Sequence, residues 1–453
     1  MKRFLKRIVP YFMILAMFVG FFPAAETVNA AEENPMRAIW LRPKETTAEQ
    51  VETHVQQIKD AGLNTIFLET VFNGYTIFPV EYDATYQNPD YEGFDVLQAY
   101  IDACHDRGMQ LHCWVESFFI GMQREDGGGP VMRAHKDWLL TDKEGNNWED
   151  TMYGKMYFFN PARPECREWI VGLYEILCTN YDLDGIQLDY VRYPQKTKEK
   201  DYGYDDYTIN AFMAEKGYDP REYKEKSFEV KTFEYYKQQQ VTEFVRMCST
   251  RLRAIKPGLI LSLSVYPFFD DGREQFMQSS REWMEKGYGD LVVPMAYYEN
   301  AVESLTKDAI KLAGSKANTV IGVSAQNGFT AESLQTQMEA VLKQGAGVAI
   351  FEFESYFANY AEALQGAVLT DTVYDLDPSI YATKVERAVE TPTPVPEETP
   401  QISEEQTDAP APTPVNPYGA TELILAVAIV IVGCGLVGLG MWLALRGPKK
   451  EKK

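Results

Sequence analysis

Met109-Gln110-Leu111-His112-Cys113-Trp114-Val115-Glu116-Ser117 is the stretch on which the reading of the fold turns. Leu111, Cys113 and Val115 are apolar, while Gln110, His112, Trp114 and Glu116 form a mixed face that ends in an acid. A period of two marks a β-strand, whose successive side chains point to opposite faces. The pattern recurs in Gly185–Tyr193, where Ile186, Leu188 and Tyr190 oppose Gly185, Gln187 and Asp189. It returns in Gly347–Ser355, where Ala349, Phe351 and Phe353 oppose Ile350, Glu352 and Glu354. Each mixed face turns acidic toward its C-terminal end.

Outward from these three, further strands are expected at Arg37–Pro43, Asn64–Thr70, Leu259–Pro267, Asp290–Tyr298 and Thr319–Gln326, with helical stretches between them. Thr46-Thr47-Ala48-Glu49 has the character of a helix N-cap followed by acid in the first turn. Asn160-Pro161 is read as another helix start. Gly62, Gly108 and Gly345 stand just before strands, where a helix C-cap belongs. Eight strand–helix units point to an α/β fold, a (β/α)8 TIM-type barrel with enlarged loops over 36–380. A doubly wound open sheet is the rival, but no G-x-G-x-x-G follows the first strand.

In such a barrel one face of each strand looks inward, and the chemistry sits at the C-terminal ends. Parity then lines the mouth with Arg42, Glu69, Glu116, Asp189, Tyr266, Tyr297, Gln326 and Glu354. Buried charges are costly unless paired, and Arg42 with Glu69 is one candidate ion pair. Four carboxylates against one arginine suit a functional cleft better than packing alone. Two carboxyl groups across a sugar suffice for glycoside hydrolysis, one protonated to serve the leaving oxygen and one ionised. Crowding separates their pKa values, because like charges resist joint ionisation. Trp40 and Trp114 belong to inward strand faces, and Tyr75, Trp138, Trp148 and Tyr157 fall in loops that offer rings to sugars. The loop from Gln195 to Lys231, with Tyr202, Tyr204 and Tyr207, is either a cleft wall or a solvated insertion. His112 and His135 are read as structural residues or substrate contacts rather than general bases.

Asp184-Gly185-Ile186-Gln187-Leu188-Asp189-Tyr190-Val191-Arg192-Tyr193-Pro194 resembles the fourth-strand motif of the glycosyl hydrolase-like 10 family. Arg37-Ala38-Ile39-Trp40-Leu41-Arg42-Pro43, Gly62 to Glu69 and the Gly74-Tyr75-Thr76-Ile77-Phe78-Pro79 loop are similar to that family too. So are His112 to Val115, Asn160-Pro161-Ala162 and Pro294-Met295-Ala296-Tyr297-Tyr298, which extends the resemblance over about Met36 to Tyr356. It implies a barrel acting on glycans, with some members linked to cleavage of peptidoglycan strands, and Asp189 as the catalytic acid residue. Two departures stand out. Tyr190 occupies the place of a second Asp, and Glu116-Ser117 that of an Asn-Pro. For the partner of Asp189 the order of choice is Glu116, then Glu354, then Glu352 and Glu69, with Asp270 and Asp271 behind. Arg42, Glu69, Tyr75, Trp114, Arg192, Tyr266, Tyr297, Gln326 and Glu352 are expected to contact substrate.

The ends of the 453-residue chain place this domain. Lys2, Arg3, Lys6 and Arg7, an apolar stretch from Ile8 to Phe22, and Val28-Asn29-Ala30 have the pattern of a signal peptide over 1–30. Residues 391–418, rich in Pro, Glu and Thr, read as an extended stalk. Leu423 to Leu445 is long and apolar enough for a transmembrane helix. The basic tail 446–453 assigns the C-terminus to the cytoplasm and the barrel to the outside of the cell membrane, as a single-pass protein. A formal net charge of −22 argues against a nucleic-acid partner. No C-x-x-C or H-x-x-x-H spacing suggests zinc, and no metal or cofactor is expected. An exported cysteine count of five leaves at least one thiol unpaired. The expected activity is hydrolysis of an oligosaccharide or polysaccharide of the cell envelope or its surroundings. Its alternatives are a non-catalytic glycan-binding barrel and a surface structural protein.

Overall fold

The computed structural model describes residues 35–366 and 369, apart from 124–126 and 152. Eight parallel strands form the frame: β1 (Arg37–Leu41), β2 (Thr65–Phe72), β3 (Gln110–Glu116), β4 (Gly185–Asp189), β5 (Ile260–Val265), β6 (Leu291–Pro294), β7 (Val320–Ser324) and β8 (Gly347–Phe351). They pair in chain order, and β8 returns to β1 through Arg37↔Val348 to Ile39↔Ile350. Bridges Val292↔Thr319 and Met295↔Gly322 join β6 to β7, so the ring closes. The strands are buried on both sides, as parallel sheets with helices outside must be.

Eight helices follow the strands in turn: α1 (Ala48–Asp60), α2 (Val96–His105), α3 (Pro164–Asn180), α4 (Phe228–Ile255), α5 (Ser280–Glu285), α6 (Val302–Ala313), α7 (Ala331–Leu342) and α8 (Phe353–Asn359). Their starts are encoded locally. The Thr47 hydroxyl accepts the Gln50 N–H at the start of α1, and Asp95, Ser227 and Thr330 cap α2, α4 and α7 in the same way. Gly62 takes φ +83° before β2, and a Cβ there would run into the Leu369 carbonyl. Only glycine suits that position. The helix expected at Asn160-Pro161 begins instead at Pro164. Asn160 is used otherwise: its Oδ1 accepts the Ala162 N–H, and its amide donates to Asp205 and Thr208. It thereby ties the β4–α4 insertion to the barrel.

Two packed regions result. Outside the ring, Ile39, Leu68, Leu111, Val115, Ile186, Leu188 and Ile350 meet the helices. Inside it, Met36, Ala38, Trp40, Phe67, Trp114, Leu291, Val293 and Ala349 fill the barrel, with Phe351 above them. Parity therefore holds for β1 to β7 and fails at β8, whose inward residues are Ala349 and Phe351 rather than Ile350. The five cysteines of the described residues are all buried and free, as small apolar fillers are.

The expected signal peptide, stalk, membrane span and basic tail lie outside the described residues. No helix among the described residues is long and apolar enough to cross a membrane.

Candidate active site

The strand ends converge on Arg42. Its Nε donates to Glu69 Oε1 at 2.9 Å, and its guanidinium lies 4.8 Å above the Trp114 ring and 5.6 Å from that of Phe351. The charges of Glu69, Glu116 and Glu352 all act on it, so it stays protonated. One cation thus holds together carboxylates from three neighbouring segments.

Asp189 ends β4 in direct register with Glu116 at the end of β3. Burial raises the Asp189 pKa, opposed by two donors: the Tyr190 N–H at 2.7 Å from Oδ1 and the Trp114 Nε1–H at 3.0 Å from Oδ2. Arg192 and Arg42 act in the same direction. Tyr190 adopts φ +46°, rare for an aromatic residue, in the turn that aims its N–H back at the carboxylate. The Tyr190 ring is held by Phe119 and Phe158, from a three-stranded antiparallel sheet above β3 and β4. Arg192 lies over the rings of Tyr190, Phe158 and Phe276.

Glu116 differs. Burial drives its pKa well above the usual range, the charges of Glu69 and Asp189 add to that, and Arg42 opposes it only in part. No hydrogen-bond donor faces it among the contacts of the described residues. Burial raises both adjacent carboxyl groups, and the donors on Asp189 make Glu116 the one that holds its proton more firmly.

The remaining expected residues fall into three groups. Glu352 is buried at the α8 N-cap, where it accepts from Gln326 Nε2 at 3.1 Å and from the Ser355 hydroxyl at 2.9 Å. Tyr297 stacks on Phe351 with ring centroids 5.5 Å apart, and the charge of Asp189 helps raise its pKa. Tyr266, at the end of β5, packs on Phe276, and burial with the neighbouring Tyr298 raises its pKa. These residues share the mouth. Trp114 is only 1% exposed, so it forms the floor under Asp189 and offers no ring face to a sugar. Two residues are engaged by other partners. Glu354 turns outward in the first turn of α8 and pairs with Lys44 at 3.0 Å, because β8 ends at Phe351 and its parity ends there too. Tyr75 packs edge-to-face on Tyr86 in the extension beyond β2.

The other loop aromatics are committed to packing. His135 stacks on Trp138 at 3.9 Å and its Nε2 lies 2.6 Å from Asp83, and Lys155 caps the Trp148 ring at 3.5 Å. Tyr202 bonds to the Trp148 carbonyl, Tyr204 to Asp201, and Tyr207 lies under Arg163. The Gln195–Lys231 loop is therefore built on its own polar core, in which buried Lys237 reaches Asp201 at 2.8 Å. His112 is sealed inside the barrel, where burial lowers its pKa to about 4. Asp270 and Asp271 are exposed in the first turn of the helix Phe269–Phe276. Tyr190, Phe351, Phe268 and Tyr298 were missing from the sequence-based set. The departure at Tyr190 and the motif that contains Tyr298 were the local signals among them.

The family model for Glycosyl hydrolase-like 10 matches residues 35–341, well over half the chain. The chain belongs to the glycosyl hydrolase-like 10 family. Among curated proteins it is 20% identical over 352 residues to the glycosyl hydrolase YngK of Bacillus subtilis (strain 168), covering 68% of this chain and 63% of that protein. It therefore spans just under two thirds of that relative. The glycosyl hydrolase DigH of Escherichia coli (strain K12) is 20% identical over 333 residues, covering 62% of this chain and 69% of that protein. Among solved structures, the catalytic domain of a β-amylase from Paenibacillus polymyxa superposes with a TM-score of 0.51 at 13% identity, over 71% of this chain and 92% of that one. An α-L-fucosidase isoenzyme 2 from Paenibacillus thiaminolyticus gives 0.50 at 16% identity, over 77% and 48%. At these identities the structural likeness speaks for the barrel alone.

Trp114→Phe isolates one element of this family member's site, since it keeps a ring under Arg42 and removes the donor to Asp189. Loss of a hydrogen bond to a charged group is expected to raise the Asp189 pKa and slow turnover about tenfold. The acidic limb of a pH–rate profile should then move to higher pH; an unmoved limb would deny Trp114 this role.

Proposed function

We propose that the protein is an exported, membrane-tethered glycoside hydrolase that cleaves a cell-envelope glycan of the peptidoglycan type or an extracellular glycan. Asp189 and Glu116 are its working pair. What carries the reading is their asymmetry: two neighbouring carboxyl groups at one strand register, one supplied with donors and one left to burial and like charge. The family supports glycan chemistry. The signal, stalk and apolar run in the sequence support the tether.

The chemistry follows from the protonation states. Glu116 gives its proton to the glycosidic oxygen as that bond breaks, and the Asp189 carboxylate bonds to the anomeric carbon. Glu116, now ionised, then takes a proton from water, whose oxygen displaces Asp189 and releases the sugar. Neighbouring strands lie about 4.8 Å apart, which favours the short carboxyl separation of retaining enzymes. Arg42 opposes in part the rise that burial gives Glu69 and Glu116, and so limits the repulsion that a second charge there would meet.

The test is release of reducing ends from purified envelope glycans by the folded domain, with the first-formed anomer followed by NMR. Retention of configuration is expected. Binding without release would leave a glycan-binding barrel in its place.

A further inference from the structure

Inside the barrel, below the carboxyl groups, β3, β4 and β5 carry polar side chains that the mechanism leaves unused. Gln187 of β4 is in register with Trp114 of β3 and Ser262 of β5, so the three share one level and one face. Ser264 stands one level higher: β4 and β5 pair as far as Leu188↔Leu263, and the next step sets it beside Asp189. His112, one level lower, faces Gly185, where a Cβ would come within 2.5 Å of its Nδ1. His112, Gln187, Ser262 and Ser264 are at most 1% exposed. The Gln187 amide is oriented by Trp40, whose Nε1–H donates to Oε1. Its Nε2 has no hydrogen-bond partner among the described residues, and neither have Ser262 Oγ, Ser264 Oγ and His112 Nδ1. His112 Nε2 lies 3.2 Å from Gln110 Oε1, which can only accept, so the neutral ring keeps its proton there and Nδ1 is an acceptor.

We propose that Gln187, Ser262 and Ser264 bind internal water at the foot of Asp189, and that this water gives the carboxylate a hydrogen-bond donor from below. Buried polar atoms without partners are costly, and a group of them on neighbouring strands is where proteins hold ordered water. The donor and acceptor sets are complementary. Gln187 Nε2 can only donate, His112 Nδ1 only accept, and the two hydroxyls do either, so water here finds the roughly two to four partners it needs. Ser264 stands next to Asp189 without bonding to it directly, the situation in which a water bridges two polar groups. Gln187, Ser262 and Ser264 are therefore positioning residues that act through water on Asp189. The water site stands on the barrel interior alone, and its bearing on turnover rests on the reading of Asp189 as the nucleophile.

Crystals of the full chain, at a resolution that shows ordered water, test the site. Density is expected at hydrogen-bond distance from Gln187 Nε2 and from at least one of the two serine hydroxyls; a dry interior would overturn the proposal. The link to Asp189 is read by NMR titration of carbon-labelled aspartate, with the Asp189 signal assigned by its loss in Asp189→Asn. A donor favours the charged carboxylate, so Ser264→Ala should move the Asp189 midpoint up by about one pH unit. Ser264→Thr, which keeps the hydroxyl, should return it toward the wild-type value. Arg42, Glu69, Glu116, Tyr174, Tyr190, Arg192 and Tyr297, the charged and titratable groups that act with Asp189 from the elements around it, are the same in both variants. Cooperative melting shows that each variant is folded. An unmoved midpoint in Ser264→Ala, or an equal shift in Ser264→Thr, would overturn the link. Failure of the hydrolase reading looks different: no reducing ends are released while the internal water and the shifted titration persist.

Discussion

Asp189→Asn should lower the release of reducing ends by roughly four orders of magnitude while glycan binding is kept. The amide has the size of the carboxyl group but cannot bond to an anomeric carbon. Its oxygen can still accept from either Trp114 or Tyr190, leaving the other donor facing the amide nitrogen. That mismatch costs on the order of 1 kcal/mol of stability, too little to unfold a domain of this size. Purified variant and wild type would be compared for reducing ends, glycan affinity and melting temperature. A variant that retains a tenth of the wild-type rate would remove Asp189 from the reaction.

Glu116→Gln has the second large effect, and its size depends on leaving group and pH. Glutamine has no acidic proton, so turnover of natural glycans is expected to fall about 10²–10⁴-fold. Substrates with acidic phenol leaving groups need little protonation and should lose far less. In the proposed mechanism, activity requires Asp189 ionised and Glu116 protonated. The alkaline limb then reports Glu116, lies well above the usual carboxyl range because of burial and the Glu69 and Asp189 charges, and vanishes in the variant. Stability moves the other way. A carboxyl group whose folded pKa is raised contributes its full stabilisation below its unfolded pKa and loses it as pH rises through the folded value. Glu116→Gln should therefore melt higher than the wild type on the alkaline side and equally near pH 4. Equal melting at all pH values would show that Glu116 carries no such perturbation.

Much of the barrel is legible in local sequence because its signals are local. Thr47 caps a helix through a bond to a residue three positions on, and Gly62, Gly108 and Gly345 all take positive φ before strands. The alternation in β3 and β4 aimed Glu116 and Asp189 at one rim because a regular strand turns each side chain by half a revolution. At β8 the same counting failed. Both faces of Ala349-Ile350-Phe351 are apolar, as in any strand buried on both sides, and no count of residues says which one looks inward. Glu352 reached the mouth as a helix cap, and Glu354 pairs with Lys44.

The sequence by itself determined the eight strand–helix units, the inward set of seven strands, and the family to which the chain belongs. Periodicity, caps and motifs are properties of neighbours along the chain, so they survive without coordinates. Only the tertiary structure decided what surrounds each of these groups. It placed the Trp114 indole and the Tyr190 N–H on Asp189, paired Glu69 with Arg42, left Glu116 without a donor among the described residues, and set Phe268 against Tyr298. A carboxyl group's proton affinity depends on what surrounds it within a few ångströms, and in a barrel most of those neighbours come from strands tens of residues away.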